Sequence, residues 1–366
     1  MPIDISAIRH QFDALNRSEK GHPVAYLDGP GGTQTPQSVI AAMGDVLSDG
    51  VSNLGGGFGA SAAADDLTDA GRRAVADFFN ANPNEISFGQ NMTSLTFALS
   101  RALARSWKHG DAIVLTSLDH DANFTPWKRA AEETGVEVRV AEFDPDTAML
   151  EPSRVSDLLD DKVRLVAVCR ASNALGSLVD VSAISAAAHE VGALVYVDAV
   201  HAGPHVSIDV QELGCDFLVA SAYKFFGPHT GILWGRLDHM AEIDAYKVRP
   251  APSDPPGKWE TGTQSFESLA GVTAAVDYIA SLGEPGDTRR EGLTNAFQAI
   301  GSHETELSDR FIGGVEELPA VRIHGPAATT DRVSTFAVSV DGASATDAAA
   351  HMADHGIYVW SGHYYA

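Results

Sequence analysis

The chain has 366 residues, enough for about two domains with a sizeable core, and its 44% hydrophobic and 20% charged content is that of a globular protein. Against 25 Lys+Arg stand 49 Asp+Glu, a formal net charge of −24, which repels phosphate backbones and anionic lipid and disfavours nucleic-acid and membrane-surface roles. No apolar run reaches the roughly 18 residues of a bilayer crossing, Met1–Asn16 is too mixed for a signal peptide, and Cys169 and Cys215 form neither a CxxC pattern nor a disulfide framework, so a soluble cytoplasmic protein is expected.

Ala62–Asn80 carries Leu67, Ala70, Ala74, Val75 and Phe78 near the helical period and predicts an amphipathic helix. A short strand at Glu85–Gly89 precedes a helix over Thr93–Trp107. The strand Ala112–Thr116 then leads through an Asp/Asn-rich turn to a helix at Phe124–Thr134. Strands follow at Val136–Phe143 and Val163–Cys169, the latter apolar on both faces as a central parallel strand should be. A helix at Val181–Val191 precedes the strand Leu194–Asp198, and further strands follow at Phe217–Ser221 and Gly231–Trp234. This alternation predicts an α/β fold with a mostly parallel central sheet flanked by helices. A Pro-rich connector at Lys247–Gly257 marks a division into a large body, 20–255, and a smaller α+β body from 1–19 and 256–366. The latter is expected to hold helices at Ser268–Ser281, Arg289–Leu318 and Ser344–Asp354, the last capped by Ser344, and strands at Val321–His324, Val333–Val340 and Ile357–Trp360.

In an open parallel sheet, ligands bind beyond the carboxyl ends of the strands. Asp198 ends one strand, and Lys224 follows another within Ser221-Ala222-Tyr223-Lys224-Phe225-Phe226-Gly227-Pro228. Two phenylalanines and a Gly-Pro turn would partly desolvate the lysine and lower its pKa, as an amine nucleophile towards an aldehyde requires. An Asp at a neighbouring strand end suits a protonated pyridine nitrogen, so the pair matches a pyridoxal 5′-phosphate (PLP) site. Taken singly, Lys224 reads as a loop lysine and Asp198 as a helix cap. Further groups fit the same ligand: the hydroxyls of Ser221 and Tyr223, the strand-to-helix turn at Asn91-Met92-Thr93-Ser94 for a phosphate, and His120 for stacking on a flat ring. The run Gly55-Gly56-Gly57-Phe58-Gly59 fails GxGxxG and follows no strand, which sets a dinucleotide-binding reading aside and leaves it as a candidate active-site loop. No pattern of metal-ligand spacing stands out among the 14 His residues.

These segments together resemble PLP-dependent fold-type-I enzymes of aminotransferase class V, in the cysteine desulfurase and selenocysteine lyase branch. Tyr26-Leu27-Asp28 with Thr35-Pro36 resembles the family's entry segment, and Asp119-His120-Asp121-Ala122-Asn123 its Glu-His-x-Ala-Asn block. Ser172-Asn173-Ala174-Leu175-Gly176 resembles Ser-Asn-x-x-Gly, Asp198-Ala199-Val200-His201 resembles Asp-x-x-Gln/His, and Ser221-Ala222-Tyr223-Lys224 resembles Ser-x-His-Lys. The resemblance implies Lys224 as the Schiff-base lysine, Asp198 at the ring nitrogen, His120 stacked on the ring, Asn173 at the 3′-oxygen, and His201 near the 3′-oxygen or the phosphate. It also implies a homodimer, in which Thr263 of Glu260-Thr261-Gly262-Thr263 reaches the neighbouring phosphate site.

The resemblance breaks near the C-terminus. Branch members carry Arg-x-Gly-His-x-Cys-Ala with a sulfur-attacking cysteine, where this chain reads Trp360-Ser361-Gly362-His363-Tyr364-Tyr365-Ala366. Tyr365 stands at the cysteine's position and Trp360 at the arginine's. Cys169 and Cys215 are expected to pack in the core. Members also continue past this point to supply an arginine for the substrate carboxylate, so the substrate is not carried over. The expected activity is PLP-dependent chemistry on an amino-acid substrate through an external aldimine, as C–S lyase, transaminase or epimerase. The alternative is a PLP-fold binding or regulatory protein without catalysis.

Overall fold

The computed structural model describes residues 4–366, so the first three residues of the expected small body lie outside the described residues. Helices α1 (Gln37–Asp49) and α2 (Gly59–Phe79) precede strand β1 (Ile86–Gly89) and helix α3 (Met92–Ala104). Strand β2 (Ala112–Thr116), helix α4 (Thr125–Thr134), strands β3 (Glu137–Ala141) and β4 (Val163–Cys169), and helix α5 (Val181–Glu190) follow. Strands β5 (Leu194–Asp198), β6 (Phe217–Ser221) and β7 (Gly231–Gly235) complete one seven-stranded sheet in the order β1-β7-β6-β5-β4-β2-β3. Only β7 runs against its neighbours, β1 and β6; every other pairing is parallel.

Both faces of the sheet are buried because successive side chains point to opposite sides. Val166, Val168, Val195, Val197 and Leu218 pack with Val75 and Phe78 of α2 and with Val181 and Ile184 of α5. Leu165, Ala167, Tyr196, Phe217 and Val219 pack on the other side with Leu95 and Leu99 of α3 and Trp127 of α4. Helix α6 (Phe266–Ala280) joins the first of these cores through Leu269, Val272 and Val276, lying on α1 and α2.

The long helix α7 (Arg289–Glu316) opens with a capping box in which the Thr288 hydroxyl accepts from Glu291 N–H. After it come an antiparallel pair, β8 (Val321–His324) with β9 (Ala337–Val340), helix α8 (Ala345–Asp354) capped by Ser344, and the two-residue strand β10 (Ile357–Tyr358). Two of these strands are shorter than expected. Strand β9 begins at Ala337 rather than Val333, because Val333–Thr335 is held by the loop at Gly176: Val333 N–H donates to Gly176 O at 2.9 Å and Arg332 donates to Thr335 O. Strand β10 stops at Tyr358 because, among the described residues, its pairing partner is the two-residue segment Ala25–Tyr26. Among the described residues, no helix is long and apolar enough to cross a membrane.

Candidate active site

The parallel strands deliver polar residues to one end of the sheet. Strand β5 leaves the core at Asp198, which is 5% exposed and whose Oδ1 accepts from Val200 N–H at 2.8 Å. Burial pushes its carboxyl up to about 6, opposed by that hydrogen bond and by Lys224. Strand β6 ends at Ser221, and a single 3₁₀ turn, Ala222–Lys224, carries Lys224 to the same place. The Lys224 ammonium donates to Pro30 O and stands 4.7 Å from the centroid of the Tyr223 ring. Burial lowers it to about 8, and the Asp198 carboxylate works against that fall. The amine and the carboxylate therefore feel each other across the site.

His120 follows β2 on a rigid turn. The Asp119 carboxylate beneath it accepts from the Thr116 hydroxyl and from Asn123 Nδ2 at 2.6 Å, and Asn123 Oδ1 accepts from Trp127 Nε1 at 3.0 Å. Burial drives the Asp119 carboxyl up to about 8. His120 Nδ1 accepts from Ala122 N–H at 3.0 Å, so the ring proton belongs on Nε2, and burial, with Lys224 nearby, lowers the imidazole's pKa and keeps it neutral.

Thr93 lies at the second position of α3, where backbone N–H groups have no intrahelical acceptor. Its hydroxyl finds only Met92 Sδ, at 3.4 Å, and so is available to an anion. Asn173 Nδ2 donates to Tyr364 O at 2.9 Å, His201 Nε2 meets the Thr335 hydroxyl at 2.8 Å, and the Tyr223 ring stacks on His229 with centroids 4.8 Å apart.

Lys224, Asp198, His120, Thr93, Asn173, His201 and Tyr223 line one cavity of about 470 Å³. Three expected residues do not line it. Ser94 is exposed and is spent on the α3 capping box with Asn91. Ser221 sits behind the wall, its buried hydroxyl accepting from Met92 N–H at 3.2 Å. Thr263 is exposed on a separate loop. The glycine run also lies elsewhere, with Gly55 N–H on the Asp65 carboxylate and Gly56 N–H on the Ser61 hydroxyl, as the entry turn of α2.

The structure adds residues that the sequence reading missed. Pro30 and Gly31 lie over the lysine, and Cys169, placed in the core by its strand, also reaches the cavity wall. Trp360–Tyr365 form another part of the cavity wall. Tyr365 O accepts from Asp121 N–H at 2.5 Å, and its ring faces His120 with centroids 5.6 Å apart. The Trp360 indole occupies the space of a side chain at position 31, where a Cβ would lie 2.4 Å from Nε1, so a larger residue there would displace the indole. Their departure from the resembled motif was the one available signal for this wall. Among the described residues, no group of three His, Cys, Asp or Glu is placed to hold a metal ion.

Residues 25–366 match the aminotransferase class-V family. The chain belongs to that family. Over its full length it is 31% identical to a cysteine desulfurase of Serratia proteamaculans (strain 568) and 30% identical to one of Yersinia pestis (strain Pestoides F), spanning 90% of each. The apo structure of cysteine desulfurase from Thermococcus onnurineus NA1 superposes with a TM-score of 0.90 at 27% identity, covering 100% of this chain and 89% of that one. The Escherichia coli cysteine desulfurase CsdA shares the fold, with a TM-score of 0.85 at 23% identity over 99% of this chain and 88% of its own.

This class-V chain is thus a PLP-dependent enzyme of fold type I, and its residues fit that cofactor. A partly desolvated amine and a buried carboxylate share one cavity, the second carboxylate oxygen of Asp198 has no hydrogen-bond partner among the described residues, and in the first turn of α3 the Thr93 hydroxyl meets no oxygen or nitrogen partner among them.

Proposed function

We propose that the enzyme acts on an amino-acid substrate, with Lys224 as the covalent anchor of PLP and afterwards the base at the substrate α-carbon. The observation that carries this reading is the Lys224 amine, lowered to about 8 and set against Asp198 in one cavity. Bound there, PLP would supply an aldehyde for the imine link and an electron-withdrawing ring. Asp198 would hold a proton at the ring nitrogen, His120 would lay a neutral ring against the cofactor, and the Thr93 and Tyr223 hydroxyls on the cavity wall would receive the phosphate. Asn173 and His201 serve the ring oxygen.

Lys224 would take the α-proton; its delivery to the cofactor carbon would give transamination, protonation of the α-carbon on the opposite face by another donor would give epimerisation, and departure of a β-substituent would give elimination, including C–S cleavage. Persulfide formation is not part of the proposed reaction. Cys169 and Cys215 are both buried, and the Cys169 thiol, although on the cavity wall, is pushed well above the usual range by burial and by Asp119 and Asp198.

The proposal includes a homodimer in which Thr263 reaches the partner's phosphate site. The Glu260 carboxylate is tied down by Arg72 at 2.8 Å and by Phe88 N–H at 3.1 Å, and the turn at Gly262 (φ +78°) then projects Thr263 into solvent. Residues 20–255 would form the cofactor-holding body, residues 1–19 with 256–366 the smaller one, and the enzyme would work in the cytoplasm.

Mixing the purified protein with PLP should give a reducible imine band near the visible edge, and α-deuterium exchange across the amino acids should then identify the substrate. The band should be lost in Lys224→Ala. Its persistence in that variant, or the absence of exchange with any amino acid, would overturn the reading.

A further inference from the structure

His201 lines the cavity but receives its orientation from the far end of the chain. Its Nε2 lies 2.8 Å from the hydroxyl of Thr335, with both residues buried (6% and 8% exposed). Thr335 is itself immobilised. Arg332 donates to Thr335 O, Pro326 O and Leu175 O, and Val333 N–H donates to Gly176 O. At Gly176 (φ +78°) a Cβ would stand 2.6 Å from Thr335 O, so glycine is required there both for its backbone angle and for this close approach. The loop carrying Asn173 and the segment carrying Thr335 are therefore locked together.

The surroundings point to one direction for the Thr335–His201 contact. Among the described residues, the Thr335 hydroxyl has no second hydrogen-bond partner, and a buried hydroxyl proton left without an acceptor is costly. If the hydroxyl donates, Nε2 is the acceptor and the ring's proton belongs on Nδ1. His201 Nδ1 has no protein partner among the described residues, on a residue that lines the cavity. The surroundings favour a neutral ring: burial, His205 at 5.3 Å between ring centroids, and Lys224 all disfavour the imidazolium.

We propose that Thr335 is a positioning residue: its hydroxyl donates to His201 Nε2, holds the imidazole as the Nδ1–H tautomer, and so presents an N–H donor to an oxyanion in the cavity, the ring oxygen of PLP in the reading above. The tautomer is a property of the cofactor-free chain. The role towards the ring oxygen rests on the proposed function.

Nitrogen-15 NMR of the histidines in the cofactor-free protein tests the first part, with His201 assigned from a His201→Gln variant. Wild type and Thr335→Ser should show Nδ1–H, whereas Thr335→Val, which keeps the shape but removes the donor, should move the proton wholly or partly to Nε2. An Nε2–H ring in the wild type, or no change in Thr335→Val, overturns the proposal while leaving the Lys224 reading intact. If Thr335→Val does not fold, the wild-type spectrum decides alone.

The PLP-loaded protein tests the second part. A donor stabilises the oxygen most when it bears full negative charge, so removing it should raise the pH midpoint of the visible band by about one unit in Thr335→Val, with Thr335→Ser near wild type. An unmoved midpoint overturns the link to the ring oxygen. Failure of the wild type to form any Lys224-dependent band would instead count against the proposed function.

Discussion

Lys224, Asp198 and His120 stand at or just beyond the ends of β6, β5 and β2, each in a short turn whose backbone is bonded back to the sheet or to its own side chains. Another part of the cavity wall, Trp360–Tyr365, hangs from the two-residue strand β10. It holds 61% exposed Trp360 and 67% exposed Tyr365, and places Tyr364 and Tyr365 in the left-handed region (φ +56° and +58°). One side is buried, electrically coupled and supported by seven strands; the other is aromatic, open and tethered at few points. Preorganised charge needs the first environment, because reorientation would forfeit its effect on the reaction. A substrate-selecting surface tolerates the second, since exchanging its side chains leaves the charged groups in place.

The largest expected effect is on the sheet side. Asp198→Ala removes the charge proposed to face the ring nitrogen and should lower α-deuterium exchange by roughly 10²–10³-fold, measured with whichever amino acid exchanges fastest in the wild type. A loss below tenfold would mean that Asp198 is not the group holding that proton. The loop side should respond differently. Trp360→Ala and Tyr365→Ala should retain the Lys224-dependent band but shift kcat/KM between large and small amino acids by roughly tenfold, the scale set by one or two apolar contacts. If either instead abolished exchange with every amino acid, the loop would belong to the chemistry and the contrast between the walls would fail.

The same contrast explains what was legible in the sequence. Apolar strands ending in a polar residue announced Asp198 and the approach to Lys224, because a parallel sheet buried on both faces leaves little choice about where polarity falls. Thr93 was visible as a strand-to-helix turn. Ser94 and Ser221 carried the same hydroxyl signal, but Ser94 is spent locally on Asn91 and Ser221 on Met92 N–H far away in the chain, and sequence does not reveal such prior claims. Pro30, Gly31 and Thr335 were not legible at all. Each meets the site through contacts across more than a hundred residues, and Val333–Thr335 looked like strand for its β-branched residues although its backbone is held by the Gly176 loop and by Arg332.

The smallest effect is a pH dependence that belongs to the sheet side alone. Only the neutral amine of Lys224 attacks an aldehyde, and burial lowers its pKa from 10.5 to about 8. In the cofactor-free protein, the rate of band formation with PLP should therefore rise with pH and reach half its plateau near pH 8, rather than beyond pH 10. The same shift has a stability consequence of fixed sign. Between pH 8 and 10.5 the unfolded chain keeps a proton on this lysine that the folded protein has released, so raising the pH through that window favours the folded state at this group. Comparing urea midpoints of wild type and Lys224→Met across the window isolates the contribution: the wild type should gain relative to the variant as pH rises. A parallel course for the two proteins would place the amine in solvent and remove the desolvation on which its reactivity depends.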